Sequence, residues 1–149
     1  MTPALRPFLR AAIPGIRLTS IHREGAAIEE GAVLLGPRVC WAAGLHEFEH
    51  IEITNVTRGF RFSGHVRYGR EGEVAITQPA RSILMVGDVL KVAAYAWLAD
   101  GAIEGHVTYL VKVDAANTLI EFRQVPARGV SLDPASFPPP PAIEVVALG

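Results

Sequence analysis

The sequence predicts a mainly β fold, a closed barrel or a sandwich. Apolar residues recur with a period of two, turn residues separate the runs at short intervals, and helical periodicity is scarce. Many short strands joined by tight turns cover their hydrophobic faces by closing or stacking a sheet.

Thr2–Ala12 fits a strand or a short helix. Ile51–Thr54 alternates apolar and polar residues, and Asn55–Gly59 supplies a turn. In Phe60–Tyr68 the even positions are mostly apolar or small and the odd ones polar, the pattern of a strand with one buried face. Further strands are expected at Gly72–Thr77, Val89–Leu98, Val107–Val113 and Leu119–Phe122. Gly87-Asp88, Ala99-Asp100-Gly101 and Asp114–Asn117 mark turns between several of them. Ala80–Met85, after Pro79, is the place for a turn or two of helix. From Arg123 the pattern decays, and prolines 138 to 141 read as an extended polyproline stretch. Ala142–Leu148 is apolar again and suits an edge strand or a mobile end. The chain thus divides into a barrel over residues 1–130 and a Pro-rich tail over 131–149.

With 149 residues, 50% of them hydrophobic and 19% charged, the chain can build one sizeable core. Its 14 basic and 15 acidic residues are well mixed, which gives nucleic acid or an anionic membrane no electrostatic footprint. The single cysteine, Cys40, has no partner for an internal disulfide, as expected in a reducing compartment. Arg6, Pro7 and Arg10 interrupt the apolar N-terminus, and no apolar run approaches the ~20 residues of a membrane span. The expectation is a cytoplasmic protein.

The ordered series Arg6–His22, His22-Arg23-Glu24-Gly25, Ala42-Ala43-Gly44-Leu45, Ile51–Thr57, Arg61-Phe62, Val86–Val89 and Val113–Asn117 resembles the aspartate 1-decarboxylase family. The resemblance covers roughly residues 5–122. It implies a six-stranded double-psi β-barrel and a homotetramer with active sites between subunits. In that family a serine after Glu-Gly attacks the preceding carbonyl, the chain breaks, and the new N-terminus becomes a pyruvoyl group. That cofactor is the electron sink for decarboxylation of aspartate.

Against the family's Glu-Gly-Ser, this chain sets Glu24-Gly25-Ala26 or, in a second register, Glu30-Gly31-Ala32. Both end in alanine, and no Ser, Thr or Cys occurs from Ile21 to Val39. The acyl shift needs a hydroxyl or thiol nucleophile, so no pyruvoyl group can form by this route. The family's substrate lysine aligns with Ala12, its catalytic tyrosine with His65, and the threonine before that tyrosine with Gly64. The segment lining its pocket aligns with Thr77–Arg81. Arg61 persists where the family places an arginine for the substrate carboxylate.

Arg61 and His65 share the polar face of one strand, about 13 Å apart at ~3.3 Å per residue. An arginine can clamp a carboxylate through two hydrogen bonds, and a histidine can move protons near neutral pH. Thr77, Gln78 and Arg81 join them as substrate-binding candidates, and Gly25-Ala26 or Gly31-Ala32 marks a degenerate processing site. The alternative for Arg61 and His65 is an ordinary solvated face. His46-Glu47-Phe48-Glu49-His50 matches HExxH formally. That zinc chemistry needs a helix, whereas Gly44 precedes the motif and a strand follows it, so no metal is expected. His22 and Glu24 fit a surface turn, Tyr95 and Trp97 the core or a subunit interface, and Cys40 a buried site.

The expected function is small-molecule proton-transfer chemistry (isomerisation, elimination or cyclisation) without a cofactor, in a homo-oligomer, with Arg61 as anchor. Two alternatives stay open. One is a non-catalytic partner of an active decarboxylase paralogue; the other is a true decarboxylase held uncut by a Ser→Ala change.

Overall fold

The computed structural model describes residues 4–22, 28–77, 83–128 and 144–147. Among these residues ten strands form one mixed sheet: β1 (Leu5–Arg17), β2 (Ser20–His22), β3 (Ala32–Leu35), β4 (His50–Asn55), β5 (Phe60–Tyr68), β6 (Val74–Thr77), β7 (Val89–Ala99), β8 (Val107–Val113), β9 (Leu119–Pro126) and β10 (Glu144–Ala147). One helix, α1 (Pro37–Ala43), follows β3, and a 3-10 turn (Asp100–Gly105) joins β7 to β8.

The sheet runs in the order β10-β9-β8-β1-β7-β4-β5-β3-β6-β2. Three pairings are parallel: β1 with β8, β3 with β5, and β2 with β6. Ile13, Ile16 and Leu18 meet Val33, Leu35, Ile51, Ile53 and Val66 in one core cluster, which Val111 and Phe122 complete. Side chains from both ends of the sheet share that cluster, so the sheet wraps around its own core. Ile51 and Ile53 are fully buried on alternate positions of β4, and each such side chain contributes about 1.5–3 kcal/mol by leaving water.

The fold is mainly β, as expected, with more strands than the six of the expected barrel. The sheet has ten, and among the described residues no pairing joins β10 to β2. The excess arises because β2, β3 and β6 are separate segments of three or four residues and because the chain end adds β10. Of the expected Thr2–Ala12 element, Leu5–Ala12 belongs to a strand and not to a helix; β1 carries on to Arg17, past Pro14. Between Ile13 and Ile16 its register against β7 shifts, with Gly15 at φ +79°. That bulge accommodates a proline, which has no N–H for the ladder.

Strands β5 and β8 have the expected bounds, while β9 continues to Pro126, beyond the point where the alternation decays. In the tail, β10 docks antiparallel on β9, with Val146 opposite Phe122 and packed against the core. Ile83–Met85 is not helical, and the rest of that expected turn lies outside the described residues. The expectation missed α1, whose seven residues are too few for a periodic pattern. Pro37 opens it, Gly44 ends it at φ +65°, and it buries Val39, Cys40, Ala42 and Ala43. Arg10 Nη1 donates to the Gly44 carbonyl at 2.9 Å, tying the helix end to β1, while its Nη2 pairs with Glu49.

Candidate active site

Strand β5 positions the candidate residues. Its polar face presents Arg61, Ser63, His65 and Arg67 in alternation, beside β4 on one flank and β3 on the other. An open hollow of about 500 Å³ lies over this face, lined by Glu29, Phe48, His50, Ser63, Gly64 and His65.

His65 is the centre of the group, with about a quarter of its side chain exposed. Its Nε2 lies 3.0 Å from Glu29 Oε1, and Arg67 Nη1 donates to the same oxygen at 2.5 Å. Arg67 Nε donates in turn to Glu47 Oε2 at 2.8 Å. The bonds from His65 and then Arg67 hold the Glu29 carboxyl down at about 2, so it is ionised at neutral pH. Glu29 and then Glu47 push Arg67 upward.

Phe48 roofs the group. Its ring stacks on His65 with centroids 6.0 Å apart, and the Arg67 guanidinium sits 4.7 Å from its centroid. Phe48 stands at φ +67°, an unfavourable conformation for a bulky residue. Two backbone bonds hold it there: Phe48 N–H to Val66 O at 2.7 Å and Val66 N–H to Glu49 O at 2.9 Å.

Across the hollow, His50 faces His65 directly in the β4–β5 register. Its Nε2 lies 2.8 Å from Glu52 Oε1, which also accepts from Ser63 Oγ at 3.0 Å. The His50 bond is the main cause that lowers the Glu52 carboxyl. Two imidazoles, each with its own carboxylate, therefore share one open hollow. Such a pair can give and take protons, and can hold a polar ligand between them.

The Gly31–Ala32 corner lies directly behind His65. Ala32 opens β3 and is paired with His65, whose N–H donates to Gly31 O at 2.9 Å. Gly31 is at φ +85°. Gly64 makes the close approach possible, because a Cβ there would stand 2.8 Å from Gly31 O. Thr77 ends β6, is buried, and donates to Glu29 O at 3.4 Å, which brings it to the same loop. Arg61 is exposed on the same strand but does not line the hollow; its charge acts on Glu52. Gly25, Ala26, Gln78 and Arg81 lie outside the described residues.

The HExxH stretch is a turn leading into β4, and its side chains disperse. His46 N–H bonds Glu49, Glu47 takes Arg67, Glu49 takes Arg10 and His50 takes Glu52. Tyr95 and Trp97 are 48% and 65% exposed, which removes the core reading for both. They line a second hollow with Pro7, Glu49, His50 and Glu52. Cys40 is buried, and burial pushes its thiol up to about 12, so it offers no thiolate at neutral pH. His22 Nε2 is buried with no hydrogen-bond partner among the described residues.

The sequence reading missed Glu29, Glu47, Phe48 and Arg67 as members of the group. Arg67 had a signal, the continuation of the Arg61-Ser63-His65 alternation. The others did not, since Glu29 reaches His65 across a separation of 36 residues.

Comparison with known proteins fixes the family. A family model described as aspartate decarboxylase matches residues 6–120. An aspartate 1-decarboxylase of Pyrobaculum islandicum is 38% identical over 119 residues, covering 78% of this chain and 92% of the relative. Those of Hydrogenobaculum sp. and Bordetella pertussis are 32% and 35% identical, covering 80% and 82% of this chain and 92% and 98% of the relatives. With a match that spans most of β1 to β9, the chain belongs to the aspartate decarboxylase family.

Proposed function

We propose that this chain is a member of the family that stays uncut, forms no pyruvoyl group, and uses His65 for proton-transfer chemistry on a small anionic molecule. The observation that carries this is the missing nucleophile: from Ile21 to Val39 there is no Ser, Thr or Cys. The corner geometry favours Gly31-Ala32 over Gly25-Ala26 as the former processing site, because Ala32 is the partner of His65. Ala32 offers a buried methyl group there and cannot become a pyruvoyl group. The inert thiol of Cys40 is no substitute.

Isomerisation, elimination and cyclisation move protons, need no electron sink and fit these groups. In this reading His65 accepts and returns the proton, Arg61 anchors a carboxylate at the outer end of the strand, and Thr77, Gln78 and Arg81 bind the rest of the substrate. We further propose a six-stranded double-psi barrel as the heart of the sheet, for which the three parallel pairings inside a mostly antiparallel sheet speak. A cytoplasmic homotetramer is the proposed assembly. The exposed aromatics Trp41, Phe48, Tyr95 and Trp97 support a covering subunit. Among the described residues no helix is long and apolar enough to cross a membrane.

The test is native and denaturing mass spectrometry of protein purified gently from its source. One uncut chain of 16.0 kDa, in a homo-oligomer carrying a small organic ligand, is the expected result. Arg61→Ala and His65→Ala should each release that ligand. Cleaved chains, or ligand retained by both variants, would overturn the reading. An uncut chain bound within a decarboxylase complex would favour a non-catalytic partner instead.

A further inference from the structure

Resting on the proton-transfer reading of His65, we infer that Glu29 is a positioning residue that holds the proton of His65 on Nε2 and leaves Nδ1 as the proton acceptor. Glu29 Oε1 lies 3.0 Å from His65 Nε2. An ionised carboxylate has no proton to donate, so in the neutral ring Nε2 is the donor and Nδ1 carries the lone pair. Arg67 and Glu47 brace the carboxylate from the other side: Arg67 bridges Glu29 at 2.5 Å and Glu47 at 2.8 Å. The chain Glu47–Arg67–Glu29–His65 is a fixed line of alternating charge under the Phe48 ring, which covers both His65 and Arg67.

The free ring edge looks toward the Gly31 corner. A Cβ built on Gly31 would stand 3.5 Å from His65 Nδ1 and 3.7 Å from Cε1. With glycine at position 31 no side chain of that residue stands against Nδ1, which has no hydrogen-bond partner among the described residues. Across the hollow, His50 is engaged by Glu52 and does not compete for Glu29. In the proposed step the Nδ1 lone pair takes a proton from the substrate, and the bonding pair stays on the substrate. The ring becomes an imidazolium whose charge faces Glu29. The same proton then returns to a different substrate atom, so no co-reactant is consumed.

The experiment is long-range proton–nitrogen NMR of the intact chain carrying nitrogen-labelled histidine, recorded above the imidazole titration range. In the wild type, His65 is expected to show a protonated Nε2 and a bare Nδ1. Glu29→Ala should turn this single tautomer into a mixture, and Glu29→Gln should restore it, because the amide oxygen can accept the same N–H. His106, whose Nε2 lies 2.8 Å from Leu9 O far from Glu29, is the internal control for an intact fold. A wild-type His65 protonated on Nδ1 would overturn the inference. So would a tautomer indifferent to Glu29→Ala while His106 keeps its signal. The tautomer is read without any substrate. A correct tautomer with ligand retained in both Arg61→Ala and His65→Ala would therefore sink the functional reading and support the positioning role.

Discussion

The backbone N–H of His65 donates to the carbonyl oxygen of Gly31 at 2.9 Å, and the bare Cα of Gly64 stands beside that bond. The carbonyl of Gly31 is the one a nucleophile at position 32 would attack, and the His65 amide already polarises it. In the proposed reading, a side chain lost at 64 and a hydroxyl lost at 32 meet at a single corner. This is the structural reason to treat the departures from the family's pattern as coupled.

Adding a side chain at position 64 should therefore disturb the corner. A Cβ there would lie 2.8 Å from Gly31 O and 2.9 Å from Val33 Cγ2, both too close. Gly64→Thr is expected to destabilise the fold by about 1–3 kcal/mol, since packed backbone yields poorly to added volume. Urea unfolding followed by circular dichroism reads this as a lower midpoint at unchanged slope. A midpoint at or above the wild-type value would show that β3 can move away from β5 at little cost.

Reintroducing the nucleophile discriminates between the two registers. Ala32→Ser places a hydroxyl next to the carbonyl of Gly31, which stands at φ +85° with the His65 amide donor in place. This variant is expected to break after Gly31 over days, visible as two fragments on a denaturing mass spectrum. Ala26→Ser is expected to stay whole. Cleavage in Ala26→Ser alone would move the former site to Gly25-Ala26.

The strands were legible where one face is buried and the other solvated, because alternation is then local: β5 and β8 have the bounds the alternation predicts. The helix α1 left only its punctuation, Pro37 and Gly44, since it is too short for a moment. His65 was legible as a position that differs from the family, yet its partners were not. Glu29 and Arg67 meet across 38 residues through strand register, a quantity no local pattern carries. The positive φ of Phe48 had no signal either, because it is imposed by two backbone bonds to β5. The Gly87-Asp88 turn was expected, whereas the buried network around Asp88 was not.

That network makes Asp88 a stability switch in acid. Its Oδ2 accepts from Asn55 Nδ2 at 2.9 Å, Arg58 Nε at 2.8 Å and Met85 N at 3.1 Å. Chiefly through the Arg58 bond, the carboxyl is held at about 2 against an ordinary 3.8. A depressed folded value means stability that is fully present above pH 3.8 and is lost as pH falls through about 2. Asp88→Ala should cost about 2–4 kcal/mol at neutral pH, because it strands the buried Asn55 amide and the Arg58 charge. It should also flatten the acid limb of a plot of stability against pH. An acid limb identical to that of the wild type would assign acid unfolding to other carboxylates.

Asn117 separates backbone conformation from hydrogen bonding at one buried position. It stands at φ +62°, and its side chain clasps the end of β1: Oδ1 accepts from Arg17 N at 2.8 Å. Its Nδ2 donates to Arg17 O at 2.8 Å and Gly72 O at 3.1 Å. Asn117→Ala loses the bonds and puts a Cβ residue with no local compensation in the left-handed region, for an expected loss of about 2–4 kcal/mol. Asn117→Gly loses the bonds but adopts the conformation freely, so it should be about 1 kcal/mol less harmful than Ala. Asn117→Asp keeps the acceptor for Arg17 N but turns a carboxylate oxygen toward two carbonyls. It should be the worst of the three at neutral pH and improve relative to wild type as that carboxyl protonates. If Asp behaves no worse than Gly at neutral pH, the clasp draws its strength from the Arg17 N–H alone.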